Sequence, residues 1–449
     1  MKTEKIVGLL CLFLTVAWLT GCQQNQKDSE KKLNIILITV DALRADHLST
    51  YGYQYQTSPH IDKFAETSVL FEYAYCTMPK TSASIASLMT GLHPFVHRTK
   101  PIRDTLKKEP VTLAEALKMR GYFTSAIVDN SNLSKNFNFN RGFDQYLQVW
   151  DKTIEKEEST PYITQQILEF LSKNQKKPFF FWAHYIEPHY PFLPPNQFIE
   201  KRPEGRLLEK IGPKIIAGAQ KFVKATSTEG YFLSRYDGAV KYIDSELKKI
   251  INLIFEKGYQ ENSIIILTAD HGEELGEHNY FYNHGPLTFN SSTRVPLIIY
   301  RPNERSRRIK YPVSLMDIYP TLLRQAGLVP PYEIQGVNLF EKPQDRFLFI
   351  QAYPGSFAVV HERYHLVRLE KSLGQELGLD RLYFFDLFRD PYEKKNIAHK
   401  RKNLVELMDK AYLEFSYKYE HIASTDKPEE EPKLSKRELE QLKTLGYIR

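Results

Sequence analysis

Two acidic residues follow apolar segments that lie far apart in the chain. Asp41 ends the run Asn34-Ile-Ile-Leu-Ile-Thr-Val, and Asp270, followed by His271, ends the run Ser263-Ile-Ile-Ile-Leu-Thr-Ala. Continuous apolar runs of this length are typical of buried strands in a parallel sheet, and functional groups collect at the carboxyl ends of such strands. The pattern predicts one site, assembled from both halves of the chain, in which these groups bind a metal ion. The alternative is that each aspartate only caps a following helix.

A third polar segment lies between the two runs. The stretch from Tyr75 to Gly91 is typical of a polar loop that leads into a short helix, with serine and threonine at the start of the helix and glycine after its last turn. The free amides and the macrodipole at a helix N-terminus favour a tetrahedral oxyanion such as phosphate or sulfate. Thr81 is therefore a candidate nucleophile, whose hydroxyl would lose its proton when it binds a neighbouring metal. The alternative is that Thr81 or Ser82 is an ordinary N-cap.

These segments and several others resemble, in order, the motifs of the sulfatase family of the alkaline phosphatase superfamily. The resemblance implies an α/β fold with an alkaline-phosphatase-like, mostly parallel sheet sandwiched by helices. It also implies a smaller C-terminal α+β subdomain with an antiparallel sheet. The segments that carry the resemblance are Asn34–Asp41, Arg44–Leu48, Tyr51–Tyr53, Thr57–Asp62, Ala86–Gly91, His184–Pro191, Tyr236–Gly238, Asp270–Glu273, His284–Gly285, Arg294–Pro296, Asp317–Thr321 and Leu382–Leu387.

The chain departs from the family pattern in one motif. Sulfatases that cleave sulfate esters resemble each other in a signature of Cys or Ser, any residue, Pro, Ser or Ala, and Arg, whose first residue is oxidised to formylglycine. Counted back from the motif that ends at Gly91, that first position holds Thr81, and Ala83 and Ile85 replace the proline and the arginine. Threonine cannot become formylglycine, because its methyl group would leave a ketone. The segment is more similar to the threonine-nucleophile branch that includes lipoteichoic acid synthases and phosphoethanolamine transferases.

The resemblance implies a metal centre formed by Asp41, Thr81, Asp270 and His271. Oxygen ligands with one imidazole form a borderline set, which suits manganese, zinc or magnesium better than calcium. We expect one divalent metal ion as the cofactor, with manganese preferred and with zinc, magnesium or calcium as alternatives. Such an ion would polarise the ester oxygen and lower the pKa of the nucleophile.

Histidines are the expected proton donors, because their ordinary pKa lies near neutral pH. The positions of His189, His284 and His97 within the resemblance imply catalytic roles for all three. A leaving alkoxide needs a proton from one of them. His184 and Lys80 are further candidates. Without the resemblance, a single histidine is more often structural than catalytic.

The amino terminus predicts export. Lys2 and Lys5 precede an apolar stretch from Ile6 to Leu19, which is too short to span a membrane and typical of a secretory signal. The signal ends in Leu19-Thr-Gly-Cys22, which resembles a bacterial lipobox, so we expect Cys22 to be lipidated. The alternative is an uncleaved anchor that happens to end in cysteine. The prediction is a cell-envelope membrane lipoprotein that faces the periplasm or the exterior.

Length and charge set broad limits on organisation and partners. At 449 residues, with 42% hydrophobic residues, the chain exceeds one ordinary core. The formal net charge of +7 is modest for this size and does not indicate a nucleic-acid partner. The predicted segments are a signal peptide (1–21), a flexible tether (22–32), a catalytic domain (33–345), a C-terminal subdomain (346–425), and a linker with a terminal helix (426–449).

The combined prediction is a metal-dependent hydrolase or transferase that acts on phosphate or sulfate esters through Thr81. Its substrate would be a small molecule, a glycan or a lipid headgroup, and Cys22 would attach it to the membrane. A conventional sulfuric ester hydrolase is one alternative. A non-catalytic envelope lipoprotein that binds glycans or anions is the alternative from another class.

Overall fold

The computed structural model describes residues 32–99, 104–152, 158–173, 177–200, 229–420 and 434–445. The described residues from Leu33 onward belong to one compact unit. The predicted signal peptide, the lipidation site Cys22, all of the tether except Lys32, and the linker before the terminal helix lie outside the described residues. The predicted division at residues 345 and 425 stays a prediction.

Strands of the described chain form a large central sheet and three smaller sheets. In chain order they are β1 Asn34–Val40, β2 Val69–Phe71, β3 Ala74–Tyr75, β4 Phe123–Val128, β5 Gln145–Gln148, β6 Phe179–Tyr185, β7 Ser263–Ala269, β8 Glu274–Leu275, β9 Phe281–Asn283, β10 Arg294–Val295, β11 Leu297–Tyr300, β12 Arg307–Ile309, β13 Val313–Ser314, β14 Phe347–Gln351, β15 Phe357–His361, β16 Tyr364–Arg368 and β17 Leu382–Asp386.

Helices cover the sheet and connect its strands. They are α1 Pro59–Glu66, α2 Thr81–Thr90, α3 Pro94–His97, α4 Leu113–Met119, α5 Ser159–Ser172, α6 Glu229–Glu256, α7 Asn290–Thr293, α8 Ile318–Gln325, α9 Lys371–Leu377, α10 Lys402–Glu420 and α11 Lys436–Thr444. None of the helices in the described ranges has both the length and the hydropathy needed to cross a bilayer.

The central sheet has eight strands in the order β12-β2-β11-β7-β1-β6-β4-β5. Strand β1 lies in its middle and pairs in parallel with β6 on one side and β7 on the other. Every residue of β1, β6 and β7 is buried, as expected for strands covered on both faces. Strand β11 runs antiparallel to β7 and to β2. The predicted mostly parallel, alkaline-phosphatase-like sheet is confirmed.

The predicted C-terminal antiparallel sheet is also confirmed. Strands β14 to β17 form an antiparallel meander in which each strand pairs with the next. Helix α10 covers one face of this meander, where Met408 and Tyr412 pack with Val359, Leu366 and Phe384. The residues next to these, Val360, Val367 and Phe385, point the other way and enter a second buried cluster, so the sheet has a core on each side.

A buried ion pair joins the start of this meander to the main body. The Arg346 guanidinium donates to both oxygens of Asp317, at 2.7 and 2.8 Å. The Asp317 carboxylate also accepts from the backbone amides of Ser314 and Val337. Asp317 is fully buried and the Arg346 side chain is 13% exposed, so water cannot replace the guanidinium fully.

We expect Arg346→Ala to lower the free energy of unfolding by about 3 kcal/mol, because it leaves a buried carboxylate without its cation. Chemical denaturation of the purified protein measures this change. The control is Arg389→Ala, whose side chain is 77% exposed beside Asp386. The control should stay within about 0.5 kcal/mol of wild type. Equal effects of the two substitutions would contradict this account of the junction.

Candidate active site

The register of the central sheet brings Asp41 and Asp270 together. Val40 and Ala269 are paired at the ends of β1 and β7, and each aspartate is the next residue along its chain. Both carboxylates are fully buried. Asp270 Oδ1 accepts from the backbone amide of Ala42 at 3.2 Å. Ala42 has a left-handed φ of 57°, which is uncommon for a residue with a side chain and turns this amide towards Asp270.

Thr81 lies beside these carboxylates as the first residue of α2. Its Oγ1 is 3.3 Å from Nε2 of His271. The N-cap position belongs to Lys80, whose side chain makes no capping hydrogen bond. Further along α2, the Ser84 hydroxyl donates to the carbonyl of Asp270 at 2.6 Å and joins the helix to the end of β7. The structure therefore brings together all four predicted metal ligands, Asp41, Thr81, Asp270 and His271.

Three candidate ligand atoms face one another at this site, namely His271 Nε2, Asp41 Oδ1 and Asp270 Oδ2. His271 Nδ1 donates to the carbonyl of Gly272 at 2.9 Å, so Nε2 carries the lone pair of the neutral ring. That nitrogen is 3.6 Å from Asp41 Oδ1 and 3.4 Å from Asp270 Oδ2. Neither of these two oxygens has a hydrogen-bond donor among the described residues. Such a set of buried electron-rich atoms fits a divalent cation.

His184 also belongs to this group. It lies near the end of β6, and its Nε2 is 3.4 Å from Asp41 Oδ2. One ligand atom each from Asp41, His184 and Asp270 lie within 4.8 Å of one another. The Thr39 hydroxyl is 2.8 Å from the other ring nitrogen of His184, Nδ1, and orients the ring. The sequence analysis placed His184 among the proton-transfer candidates, and the structure places it among the possible metal ligands.

The two aspartates have opposite pKa shifts. Burial, and then the charge of Asp41, raises the pKa of Asp270. Burial also acts to raise the pKa of Asp41, but the neighbouring His189, His184 and His271 outweigh it and lower that pKa. Two carboxylates in one buried site cannot both be ionised cheaply without positive partners. The electrostatics of the site therefore favour a bound cation.

The predicted catalytic residues His189 and His284 lie next to the cluster. Their rings are 5.0 Å apart, and the ring of His284 is 4.0 Å from that of His271. His189 Nδ1 donates to the carbonyl of Tyr190 at 2.7 Å. His284 Nδ1 is 3.2 Å from Glu273 Oε1. Both rings are thus held by fixed partners at the edge of the metal-binding group.

Burial is the largest cause of the pKa shifts of the neighbouring groups. It lowers the pKa of His284 well below its usual range, and the neighbouring His271, Lys80 and His189 act in the same direction. Burial also lowers the pKa of Lys80 to about 8, against the raising effect of Glu273. The pKa of Glu273 itself is raised well above its usual value by burial and by Asp41. These shifts favour a neutral His284 ring, which does not supply a proton at neutral pH.

The structure places His97 elsewhere than the sequence analysis predicted. Its Nε2 is 3.0 Å from the Ser87 hydroxyl, in the middle of α2, and its Nδ1 accepts from the Thr99 amide at 3.0 Å. Burial and the nearby His93 lower the pKa of His97 to about 3. The two ring nitrogens of His97 are therefore occupied by Ser87 of α2 and by the Thr99 backbone. His97 supports the helix that carries Thr81 and makes no hydrogen bond or ion pair with Asp41 or Asp270.

Asn130 is a site residue that the sequence analysis missed. Its Nδ2 donates to Asp41 Oδ2 at 2.6 Å and to Thr81 Oγ1 at 3.4 Å. The amide orientation is fixed because Oδ1 accepts from the Asn132 amide at 3.0 Å. Asn130 is the second residue after the end of β4, so it lies close to the carboxyl end of a parallel strand, as Asp41 does. Its side chain holds the candidate nucleophile beside the carboxylate of Asp41, a candidate metal ligand.

Arg44 ties the loops that carry the aspartates to each other. Its guanidinium pairs with Asp46, at 2.8 Å, and with Glu277, at 2.6 Å. It also donates to the carbonyl of Glu273. The loop after β1 is thereby fixed to the loop after β7.

The unpartnered oxygens predict that a divalent cation stabilises the fold. At a free manganese concentration about 100 times its dissociation constant, the wild-type protein should gain about 2.7 kcal/mol. Asp270→Asn should lose this gain. The metal-free variant should unfold at no lower temperature than wild type, because one of two adjacent buried charges is removed.

Thermal unfolding with and without manganese measures both effects. Asp380→Ala, at an exposed aspartate, is the control and should respond to manganese as wild type does. An undiminished manganese response in Asp270→Asn would contradict the assignment of this metal centre.

Comparison with known proteins agrees with the fold. The family model for Sulfatase matches residues 33–328. An arylsulfatase of Clostridium perfringens is 25% identical, over 82% of this chain and 90% of the relative. An N-acetylglucosamine-6-O-sulfatase of Bacteroides thetaiotaomicron is 22% identical, over 90% of this chain and 91% of the relative.

A solved structure of similar fold is the phosphonate monoester hydrolase of Agrobacterium radiobacter. It has a TM-score of 0.69 and 19% identity, and the match covers 90% of this chain and all of that structure. The family match extends over more than half of the chain and includes Asp41, Thr81, Asp270 and His271. This protein therefore belongs to the sulfatase family of the alkaline phosphatase superfamily and is an ester hydrolase of that family.

Proposed function

We propose that the protein cleaves an anionic ester of phosphate or sulfate with Thr81 as its nucleophile and with one divalent cation. The observation that carries the proposal is the position of the Thr81 hydroxyl. It lies at the first residue of a buried helix, 3.3 Å from His271 Nε2, beside two carboxylate oxygens that lack a donor. A hydroxyl in this place can be deprotonated and held in line with a tetrahedral anion.

The ligand set defines what a cation would contribute. Asp41, Thr81, Asp270 and His271 would hold it, and His184 is near enough to join them. Bound there, a divalent ion would polarise the ester and lower the pKa of the Thr81 hydroxyl. Manganese remains the preferred ion in this proposal, and zinc, magnesium and calcium are alternatives that metal analysis separates.

The side chains of the site supply the remaining roles. Asn130 donates to Thr81 Oγ1 and fixes its position, and the free amides at the start of α2 favour an anionic group. The Thr81 hydroxyl gives up its proton to water, and its oxygen bonds to the phosphorus or sulfur atom as the bond to the leaving oxygen breaks. His189 donates a proton to that leaving oxygen. Water, or an acceptor hydroxyl, then attacks the phosphorus or sulfur atom, loses its proton to His189 and releases the group from Thr81.

Two observations bear on which ester is cleaved. The names of the curated relatives support a sulfate ester. Threonine in place of cysteine or serine supports a phosphate ester, because Thr81 cannot form the aldehyde of the sulfatase signature. Buried Lys80 beside the site adds positive charge, which a more highly charged phosphate monoester needs. We therefore rank phosphate ahead of sulfate.

Catalysis is better supported than the non-catalytic alternative. A binding protein has no need of a nucleophile, a metal-ligating cluster and two oriented histidines in one buried group. The export and lipidation at Cys22 remain proposals that rest on the sequence pattern of residues 1–22. A small molecule, a glycan and a lipid headgroup remain the proposed substrate classes.

With manganese present, we expect the purified enzyme to cleave nitrophenyl phosphate with a higher kcat/KM than nitrophenyl sulfate. Thr81→Ala should reduce kcat at least about a thousandfold, as removal of a nucleophile does in other hydrolases. Steady-state kinetics with both esters measures these values.

Thr67→Ala is the matched control, since Thr67 is an exposed residue after α1. A preference for the sulfate ester would reverse the ranking of substrates and keep the nucleophile. Undiminished turnover by Thr81→Ala would contradict the proposal itself.

A further inference from the structure

We propose that the C-terminal helix α11 is a positioning element of the active site and that Glu438 is its key positioning residue. The helix would act on the segment Asp129–Asn136, which contains Asn130. This inference rests on the proposed function, because it concerns how Thr81 is held for attack. A series of contacts connects the helix to the nucleophile.

Glu438 is buried against this segment. Only 2% of the residue is exposed. Its carboxylate accepts from the Ser134 hydroxyl and, through both oxygens, from Asn136 Nδ2 at 3.0 Å. It also accepts from the Ser435 amide at 2.7 Å, within its own helix. Glutamate is almost never fully buried in proteins unless it is paired, so the hydrogen bonds from Ser134 and Asn136 are what allows Glu438 to be buried.

The rest of α11 docks on the same side. Leu442 and Leu445 are buried, and their spacing from Glu438 places all three on one helix face. Arg437 donates to the carbonyl of Asp151 at 2.7 Å. Among the described residues Glu438 forms no ion pair with lysine or arginine, so all the groups that donate to its carboxylate are neutral. Such a contact specifies one docked position of the helix, because few other surfaces offer matching donors.

The helix holds both ends of the segment. At one end Glu438 binds Ser134 and Asn136, which belong to the short turn that continues to Phe137. At the other end Gln441 Nε2 donates to Asp129 Oδ1 at 3.0 Å. Residues 130–133 between these ends form a second short turn, and Asn130 caps it.

Asn130 transmits the position of this segment to the site. Its Oδ1 is occupied by the Asn132 amide, so the side chain moves with the turn. Its Nδ2 contacts Asp41 and Thr81. A shift of the segment would therefore displace a donor that touches both the nucleophile and a metal ligand. Small misplacements of reacting groups cost about a hundredfold in rate, whereas binding depends less on them.

We expect Glu438→Ala, in the full-length protein, to lower kcat by about tenfold to a hundredfold with little change in KM. The matched control is Glu440→Ala, an exposed glutamate on the same helix, which should behave as wild type. Gln441→Ala should give a smaller loss of kcat in the same direction. This variant keeps the test informative if Glu438→Ala does not fold.

A double-mutant cycle separates positioning from general support of the fold. If α11 acts through Asn130, Glu438→Ala should lower kcat by less than about twofold in an Asn130→Ala background. A full, additive loss in that background would contradict the inference, and so would equal kcat values for Glu438→Ala and Glu440→Ala.

The two proposals fail in different ways. If the inference about α11 is wrong, Thr81→Ala is inactive while Glu438→Ala has the kcat of wild type. If the proposed function is wrong, Thr81→Ala retains turnover, whatever the effect of Glu438→Ala.

Discussion

Two buried carboxylates at the ends of adjacent parallel strands are the constraint on which the rest of the structure depends. The pairing of β1 with β7 places Asp41 beside Asp270 with no access to water. Like charges so close in a buried site need compensation, which the surrounding histidines and a cation can give. The fold meets this requirement by placing His184 next to the last residue of β6 and by following Asp270 directly with His271.

The chain fixes the distance between these groups through residues that are not themselves reactive. Arg44 links the loops after β1 and β7, and Ser84 joins α2 to the end of β7. His97 supports the middle of α2 from the other side. The site is therefore a junction of several remote segments, and each is anchored by its own buried polar contact. Buried polar side chains therefore lie together at the end of the sheet where these segments meet.

Much of this could be predicted from the sequence, and the misses have physical reasons. The apolar runs before Asp41 and Asp270 predict paired buried strands, and the family order of the motifs places Thr81 with them. Asn130 was missed because Asp129, and not Asn130, is the residue directly after β4, and the amide that reaches the site comes one position later. His97 was misplaced because a position within a motif does not say which way a ring points. The contact of Glu438 with Ser134 spans 304 residues, and no local pattern encodes it.

The most direct test of the central claim is intact-mass and peptide-mass analysis of His189→Ala after incubation with a nitrophenyl phosphate or sulfate ester. Nitrophenolate leaves without a proton, so the first step should proceed while the release step is slow. The account predicts a phosphate or sulfate group on the peptide that contains Thr81, and none in Thr81→Ala. Turnover with an adduct on another residue, or the same adduct in Thr81→Ala, would contradict it.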